Sequence, residues 1–225
     1  MNAKRSYGDG CAAAHALDLI GERWALLIVR ELLLGPKRFT DLRTGLKGIS
    51  ANVLSQRLVE LESAGIVVRQ RQQPPAGGMA YALTAWGLEL EPILLQLLLW
   101  GVRSPAFARG SPLNVDAMVL SFRALFDRDA AAGRDAEILL ILDGQAFVAR
   151  VRTGTFEVRR ADPTRQTAAV LRTDPTTLLH LAYGAASLDA ALADGRAALA
   201  GERPALDNFL NCFSVPRPVG ADRRP

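Results

Sequence analysis

The segment ISANVLSQRLVELESAGIVVRQRQQPPAGGMAYALT, residues 49–84, carries the clearest structural pattern in the first half of the chain. Ser50 is a favourable helix N-cap and Gly65 a favourable helix stop. Between them, three leucines are spaced to share one helix face: Leu54, Leu58 and Leu61. Two strand-like runs, IVVRQRQQ and AYALT, follow on either side of a loop rich in proline and glycine. The stretch therefore predicts an amphipathic helix followed directly by a β-hairpin.

Three further helices are predicted upstream, over residues 11–20, 22–34 and 39–46. The second is apolar on nearly every face, so we expect it to be buried. Gly35-Pro36 ends it, and Thr40 is able to cap the helix that follows. Helix, tight turn, helix and hairpin in this order predict a mainly α winged helix-turn-helix domain.

The face of the helix over 50–64 that lies opposite its leucines carries Asn52, Gln56 and Val59, with Ser55 beside them. Amides one turn apart near a helix N-terminus suit base edges in the major groove, because Asn and Gln bond bidentately to adenine. An ordinary solvated polar face is the alternative, and the basic hairpin favours the DNA-reading interpretation. The predicted DNA-binding residues are Arg38, Ser50, Asn52, Ser55, Gln56, Arg57, Arg69 and Arg71.

Charge supports this interpretation locally rather than globally. The 225 residues hold 27 Lys and Arg against 23 Asp and Glu, a net charge of +4. Residues 37–71, however, hold seven basic and three acidic side chains. A local basic stripe in a near-neutral protein points to phosphate, although a solvated surface with scattered arginines would look the same.

A long helix from Thr84 to about Gly101 has two apolar faces. Four leucines at positions 94, 95, 98 and 99 form one face, and the other is a heptad seam made of Trp86, Leu90, Ile93, Leu97 and Trp100. Because one small domain does not need both faces, we expect the seam to pack against its own copy. A twofold homodimer would place two recognition helices about 34 Å apart over a palindromic DNA operator. Burial against a second domain is the alternative.

These motifs resemble the HxlR-type winged helix transcriptional regulators, which are related to the MarR group. The resemblance covers roughly residues 11–102 and rests on ALDLIGERWALLIVRELLLGPKRFTDL after Cys11, on GISANVLSQRLVELESAGIV, and on YALTAWGLEL closed by Trp100-Gly101. It implies a DNA-binding dimer with the helix from Ser50 in the major groove and the hairpin as the wing.

Cys11 has two interpretations. Electrophile- and oxidant-sensing members of this family carry a cysteine at the corresponding position, and a protonated His15 one helical turn away would favour the thiolate. The alternative is a small buried apolar side chain near a dimer interface.

The sequence RSPAFARGSP, residues 103–112, is typical of a linker and predicts domains over 1–104 and 113–216. The second half reads as α+β with an antiparallel sheet, in which Thr153-Gly154 makes a hairpin turn that pairs Arg150 with Glu157. Its element order is similar to that of sterol-carrier-protein-like domains, which implies a small apolar ligand between sheet and helices. Candidate pocket residues, which are equally typical of plain core, are Phe122, Phe126, Leu178, Leu181, Phe209 and Phe213.

Enzymatic and membrane functions find little support in the sequence. It contains no recognisable catalytic motif, no metal-ligand cluster and no cofactor-binding loop. Two cysteines do not encode a disulfide framework, the N-terminus lacks a signal peptide, and the apolar stretch around 93–102 is too short to span a bilayer. We therefore expect a cytoplasmic, ligand-responsive transcription regulator without a membrane partner. The rivals are a thiol sensor acting through Cys11 and a small-molecule carrier whose winged helix serves only dimerisation.

Overall fold

The computed structural model describes residues 6–72, 77–108, 111 and 113–220. Residues 73–76, which include half of the predicted wing loop, and part of the predicted linker lie outside the described residues. The chain divides into two compact units, Met1–Leu94 and Leu95–Pro225. This division falls inside a helix and earlier than the linker, so the domain bounds 1–104 and 113–216 stay predictions.

The first unit is mainly helical with one hairpin. Its elements are α1 (Ala12–Ile20), α2 (Ala25–Leu32), α3 (Phe39–Gly45), α4 (Ala51–Ser63), β1 (Val67–Arg71), β2 (Met79–Leu83), α5 (Ala85–Leu88) and the start of α6 (Leu90–Val102). The predicted winged helix-turn-helix order is confirmed. The three leucines of α4 are fully buried in a core that they share with Ile28, Val29 and Leu32 of α2.

Local capping explains where α4 and α5 begin. The Ser50 hydroxyl accepts a hydrogen bond from the backbone N–H of Val53 at 3.3 Å. The Thr84 hydroxyl accepts one from Gly87 N–H at 3.0 Å. Each bond satisfies one of the otherwise unpaired N–H groups of a first turn. Gly65 follows α4 with a φ of +73°, the left-handed conformation that glycine adopts without strain.

Three local predictions are wrong in detail. α2 begins at Ala25 rather than at residue 22, because Trp24 takes a left-handed φ of 80° that a helix cannot include. At α3 it is the Asp41 carboxylate, not Thr40, that accepts the backbone N–H of Arg38, at 3.2 Å. The predicted single helix from Thr84 is interrupted at Glu89, since Pro92 has no N–H to donate to the preceding turn.

A third segment of the chain, at Lys37, pairs with the hairpin through an isolated antiparallel β-bridge. Lys37 and Tyr81 exchange two backbone hydrogen bonds, with N···O distances of 3.0 and 2.8 Å. Lys37 lies between α2 and α3, and Tyr81 lies on β2. The bridge therefore ties the hairpin to the connection that precedes α3.

The second unit is α+β. Beyond α6 it contains α7 (Val115–Leu125), β3 (Ala136–Leu142), β4 (Gln145–Arg152), β5 (Thr155–Arg160), β6 (Ala169–Thr173), α8 (Pro175–Ala182), α9 (Leu188–Ala193), β7 (Ala197–Gly201) and α10 (Arg203–Leu210). The strands form one sheet in the order β5-β4-β3-β6-β7.

The sheet is mixed, so the prediction of an antiparallel sheet is wrong for one pair. β3 and β6 run parallel, because the chain crosses back between the end of β5 and the start of β6. The predicted β4–β5 hairpin register is confirmed, with Arg150 opposite Glu157. The ion pair of Arg150 goes to the other neighbouring strand, where its Nε lies 2.6 Å from a carboxylate oxygen of Glu137.

The segment Ala85–Val102 is the one described helical stretch that is long and apolar enough to cross a membrane, by length and composition only. The stretch has a mean hydropathy of 1.2 over 18 residues and is 11% buried within the structure. It is longer than the apolar stretch around residues 93–102 and includes that stretch. A helix that packs against another copy of itself passes the same test, so the expected absence of a membrane partner stays a prediction.

Candidate nucleic-acid interface

The outer face of α4 is mainly polar and is exposed to solvent. Asn52, Ser55 and Gln56 are exposed, and Val59, in line with them, is 58% exposed although it is apolar. The buried leucines fix the rotation of the helix about its axis, so this face is held outward by the core rather than by surface contacts. The geometry brings together the two amides that the sequence predicts as base-reading residues and places Val59 beside them.

Arg57 is ion-paired and mostly buried in the first unit, and its predicted DNA contact stays a prediction. Its side chain is only 14% exposed, and its guanidinium is ion-paired with Glu60 on the same helix and with Glu22 between α1 and α2, the latter at 3.3 Å. The Glu60 carboxylate also accepts a hydrogen bond from the side-chain amide of Gln56, at 3.0 Å. Sequence reasoning placed Arg57 among the DNA contacts because it counted its charge without the two carboxylates beside it.

Two other predicted contact residues have local partners. Ser50 caps α4, so its hydroxyl oxygen accepts a backbone N–H and its hydroxyl hydrogen remains a donor. Arg38 is exposed and donates from its guanidinium to the backbone carbonyl of Gly77 at 2.7 Å. Arg38 thereby links the start of α3 to the loop of the hairpin.

The hairpin presents a basic edge. Arg69 and Arg71 are exposed on β1, where Arg69 pairs with Tyr81 and Arg71 with Met79. The Arg69 guanidinium carbon lies 6.0 Å from the centre of the Tyr81 ring, within the range of a cation–π contact. Arg69 remains an exposed residue despite this contact.

A buried ion cluster supports the hairpin, and sequence reasoning missed it. Glu31 on α2 is 1% exposed, and its carboxylate oxygens lie 2.8 Å from the Arg30 guanidinium and 2.6 Å from Lys37 Nζ. Burial raises the pKa of Glu31, but the adjacent charges and hydrogen bonds of Lys37 and Arg30 lower it by more, so the net pKa is below the ordinary value. The signal in the sequence was a carboxylate inside a helix that is otherwise apolar on most faces.

The α5–α6 segment exposes much of its predicted seam. Trp86, Ile93 and Leu97 are about half exposed, and Trp100 is 75% exposed. Leu90 differs, because it packs against the core of the first unit. Leu94 is buried, so the second apolar face that the sequence predicts is turned inward at that position.

Cys11 is exposed in the single chain, at the N-cap of α1, and its alternative interpretation as a side chain buried near a dimer interface stays a prediction. The backbone N–H groups of Ala14 and Ala13 point at its sulfur and lower the pKa of the thiol. The cause of the lowered pKa is therefore the helix terminus rather than the expected His15. Cys212, by contrast, is buried, and burial raises its pKa.

The predicted pocket residues of the second unit lie together as a cluster of aromatic rings. Phe122 is central, with its ring centre 4.4 Å from that of Phe213 and 5.3 Å from that of Phe209. Phe126 stacks beside them on Phe156 at 5.5 Å, and Phe156 is the residue of this cluster that the sequence did not predict. Leu178 and Leu181 on α8 are buried. Arrangements of this kind are typical of core as much as of a ligand site.

One polar contact lies at the margin of this cluster. The Tyr183 hydroxyl and the buried Ser121 hydroxyl are 2.8 Å apart, and burial raises the pKa of Tyr183 above its usual range. Among residues 6–72, 77–108, 111 and 113–220, no group of three metal-ligating side chains lies close enough to hold a metal ion.

Comparison with known proteins places these elements in a class. The HxlR-like helix-turn-helix family model matches residues 19–106, and the Alkyl sulfatase C-terminal model matches residues 113–219. The first half is similar to the HTH-type transcriptional regulator YybR of Bacillus subtilis, with 39% identity over 95 residues, which are 41% of this chain and 74% of that protein. It is also similar to the regulator YvaP of the same organism, with 38% identity over 94 residues, 41% of this chain and 87% of that protein.

Two solved structures are also similar to the first half. The oxidised form of the redox regulator HypR shares 36% identity at a TM-score of 0.38 and covers 40% of this chain and 94% of its own. The reduced form of the regulator YodB from B. subtilis shares 32% identity at a TM-score of 0.38, with coverages of 45% and 97%.

The fold and the matched relatives define this protein as a winged helix-turn-helix transcription regulator. Within that class, the chain belongs to the HxlR-like helix-turn-helix family, and it carries in addition a second unit that matches a different family model.

Proposed function

We propose that this regulator is a homodimer that binds a palindromic DNA operator, with α4 in the major groove and the β1–β2 hairpin as the wing. The observation that carries the proposal is the outward row of Asn52, Gln56 and Val59 on α4. Two amides that can bond to adenine and an apolar side chain that can meet a thymine methyl group are suited to A·T base pairs. Ser50 and Ser55 flank this row and are proposed as neighbouring contacts.

Phosphate contacts are proposed for Arg69, Arg71 and Arg38. Arg69 and Arg71 lie exposed on the wing, and Arg38 joins the wing loop to α3. Arg57 is left out of this set because its guanidinium is ion-paired inside the unit. Lys37 is left out for the same reason, since it pairs with Glu31.

The exposed seam supports the dimer. Trp86, Ile93, Leu97 and Trp100 present large apolar side chains to solvent along one segment. Contiguous apolar surface of this kind marks an interface more often than an ordinary surface. A second copy is the partner proposed, because a palindromic site read by two recognition helices requires twofold symmetry.

Selection of bound sequences from a random-sequence duplex library, using the full chain, tests operator binding. The dissociation constant for the selected duplex is then measured for N52A, Q56A and R71A. We expect N52A and Q56A to weaken binding to the selected duplex and to leave binding to random duplex unchanged. R71A should weaken binding to the selected and the random duplex by the same factor. It should also reduce the slope of log affinity against log salt by about one.

Arg128→Ala is the matched control for charge, since Arg128 is an exposed arginine of the second unit. It should leave both dissociation constants near those of the wild type. If the full chain enriches no sequence over random duplex, the operator proposal is wrong, and the rival in which the winged helix serves only dimerisation gains support.

The signal is proposed to be a small apolar molecule held near the aromatic cluster of the second unit. The cluster of phenylalanines beside the Ser121–Tyr183 hydrogen bond supplies apolar surface with one polar anchor, which is the usual composition of small-molecule sites. The Alkyl sulfatase C-terminal match supports an alkyl-bearing molecule. Native mass spectrometry of the purified chain should detect a co-purified mass, and F122A should abolish it.

Reversible oxidation of Cys11 is a second candidate signal, favoured by its exposure and its lowered pKa. Operator affinity measured before and after treatment with a mild oxidant tests it. C11S should remove the response. A C11S variant with the full response of the wild type would eliminate the thiol mechanism and leave operator binding untouched.

A further inference from the structure

The carboxylate of Glu60 lies between two side chains of the same helix and bonds to both. Its Oε1 accepts from Gln56 Nε2 at 3.0 Å, and its Oε2 is ion-paired with Arg57. Arg57 in turn reaches Glu22 at 3.3 Å. The four side chains form a chain of contacts from the outer face of α4 to the α1–α2 connection.

Arg57, the less exposed of the two partners, contacts the Glu60 carboxylate on the side that faces the protein interior. Gln56 is exposed, Glu60 is 30% exposed and Arg57 is 14% exposed, so the contacts run from solvent toward the interior. Residues three and four apart on a helix are neighbours, which allows one carboxylate to serve both partners. Because Arg57 is anchored on Glu22, the carboxylate has a fixed point against which the Gln56 amide can be set.

The bond also dictates which way the Gln56 amide faces. An ionised carboxylate only accepts hydrogen bonds, so it must face the NH₂ group and not the carbonyl oxygen of Gln56. The bond uses one of the two amide hydrogens. The second hydrogen and the carbonyl oxygen remain for a base edge, and adenine requires one donor and one acceptor in that pairing.

We propose that Glu60 is the specificity-determining partner of Gln56: it sets the Gln56 amide for adenine and withholds Arg57 from guanine and phosphate. The inference rests on the proposed operator binding and deepens it. It assigns Glu60 an effect on base preference without any contact with DNA, so Glu60 is a positioning residue.

A purely structural role for Glu60 makes a different prediction. An exposed pair at this spacing adds little to the stability of a helix and has no reason to alter base preference. The two roles are therefore separated by measuring discrimination between base pairs rather than affinity alone.

The experiment uses the full chain and the duplex selected from a random library, with each base pair of one half-site replaced in turn. The readout is the ratio of dissociation constants between the selected base pair and its replacements. Q56A identifies the base pair that Gln56 reads, where we expect the ratio to fall by about 10- to 100-fold, the usual value of one bidentate contact.

Three variants then test Glu60. E60A should lose the same preference at the same base pair, and E60A/Q56A should lose no more than Q56A. E60Q should keep the preference to within about threefold, because its side-chain carbonyl oxygen still accepts from Gln56. E62A removes one negative charge from the same helix without changing the contact to Gln56. It should therefore keep the base preference and bind random duplex slightly more tightly.

The outcomes separate the two proposals. Retained preference in E60A, with Q56A losing it, overturns the inference and leaves operator binding intact. Loss in both E60A and E62A also overturns it, because charge would then be the cause. If the wild type selects no sequence, or if Q56A keeps every preference, the reading role of α4 fails first and the inference falls with it. Circular dichroism melting of each variant verifies that it is folded.

Discussion

Glu31 and Lys37 form an ion pair inside the first unit, with Lys37 Nζ 2.6 Å from Glu31 Oε2 and the Glu31 side chain 1% exposed. The same Lys37 exchanges two backbone hydrogen bonds with Tyr81 on β2. A buried charge on α2 is thus joined through one residue to the wing. Stability of the first unit and placement of the wing depend on the same contact.

Replacement Glu31→Ala should lower the free energy of unfolding by about 3–5 kcal/mol, because it leaves the partly buried Lys37 without its carboxylate. Chemical denaturation monitored by circular dichroism measures the effect. Glu62→Ala, at an exposed carboxylate of α4, is the control and should change stability by less than about 0.5 kcal/mol. A loss equally small in E31A would show that the pair contributes nothing.

Acid should weaken the same contact. The folded-state pKa of Glu31 lies below its ordinary value, so its contribution is complete above the unfolded-state pKa of about 4.3 and is lost as the pH falls through the folded-state pKa. The difference in unfolding free energy between wild type and E31Q should therefore be constant above about pH 5 and shrink toward pH 3. A constant difference over the whole range would contradict this assignment.

Two helical glycines offer a matched test of packing. A methyl group at Gly87 would overlap the backbone carbonyl of Ile66, whereas one at Gly101 would meet nothing within 4 Å. Gly87→Ala should destabilise the first unit by about 1–3 kcal/mol, and Gly101→Ala should stabilise α6 by about 0.5–1 kcal/mol. Equal effects in thermal unfolding would contradict the close approach of α5 to the backbone of Ile66, which precedes β1.

Replacement Leu97→Glu should convert the proposed homodimer to monomers, because it places a charge in the apolar seam that a second copy would cover. Sedimentation velocity at micromolar concentration measures the change. Val59→Glu alters a similarly exposed apolar residue on α4, outside the seam, and should leave the dimer intact. A wild-type chain that sediments as a monomer would remove the basis of the dimer.

The two cysteines should react at very different rates. Cys11 is exposed and its pKa is lowered by backbone N–H groups, whereas the pKa of buried Cys212 is raised by burial. Iodoacetamide at pH 7 should therefore alkylate Cys11 well before Cys212, because the thiolate is the reacting species. Peptide mass spectrometry over a time course reads both sites at once. Faster labelling of Cys212 would contradict the exposure assigned here.

Much of the fold was predictable because its signals are local. The leucine spacing of α4, the caps at Ser50 and Thr84, and the turn at Thr153-Gly154 each depend on neighbours in sequence, and each is found as expected. The parallel pairing of β3 with β6 was not predictable in this way. It depends on where the chain returns after β5, and no short pattern encodes that choice.

In the candidate site too, the features that depend on sequence neighbours were predictable and those that depend on distant residues were not. Exposure of Asn52 and Gln56 follows from helix periodicity, so the sequence indicates it directly. The ion-pair partners of Arg57 and Lys37 do not follow from helix periodicity, because Glu22 and Glu31 reach them from other elements. Counting charge along residues 37–71 therefore overestimates the charge that is free to meet DNA.

The division of the chain inside α6 also sets how the protein can be cut. A fragment that ends at Leu94, where the first compact unit ends, would retain little more than the first turn of a helix that runs to Val102. The carbonyl groups of that turn would lose the N–H donors that the next turn supplies. Expression of the DNA-binding half alone should therefore succeed with a terminus in the predicted linker and fail with one at residue 94.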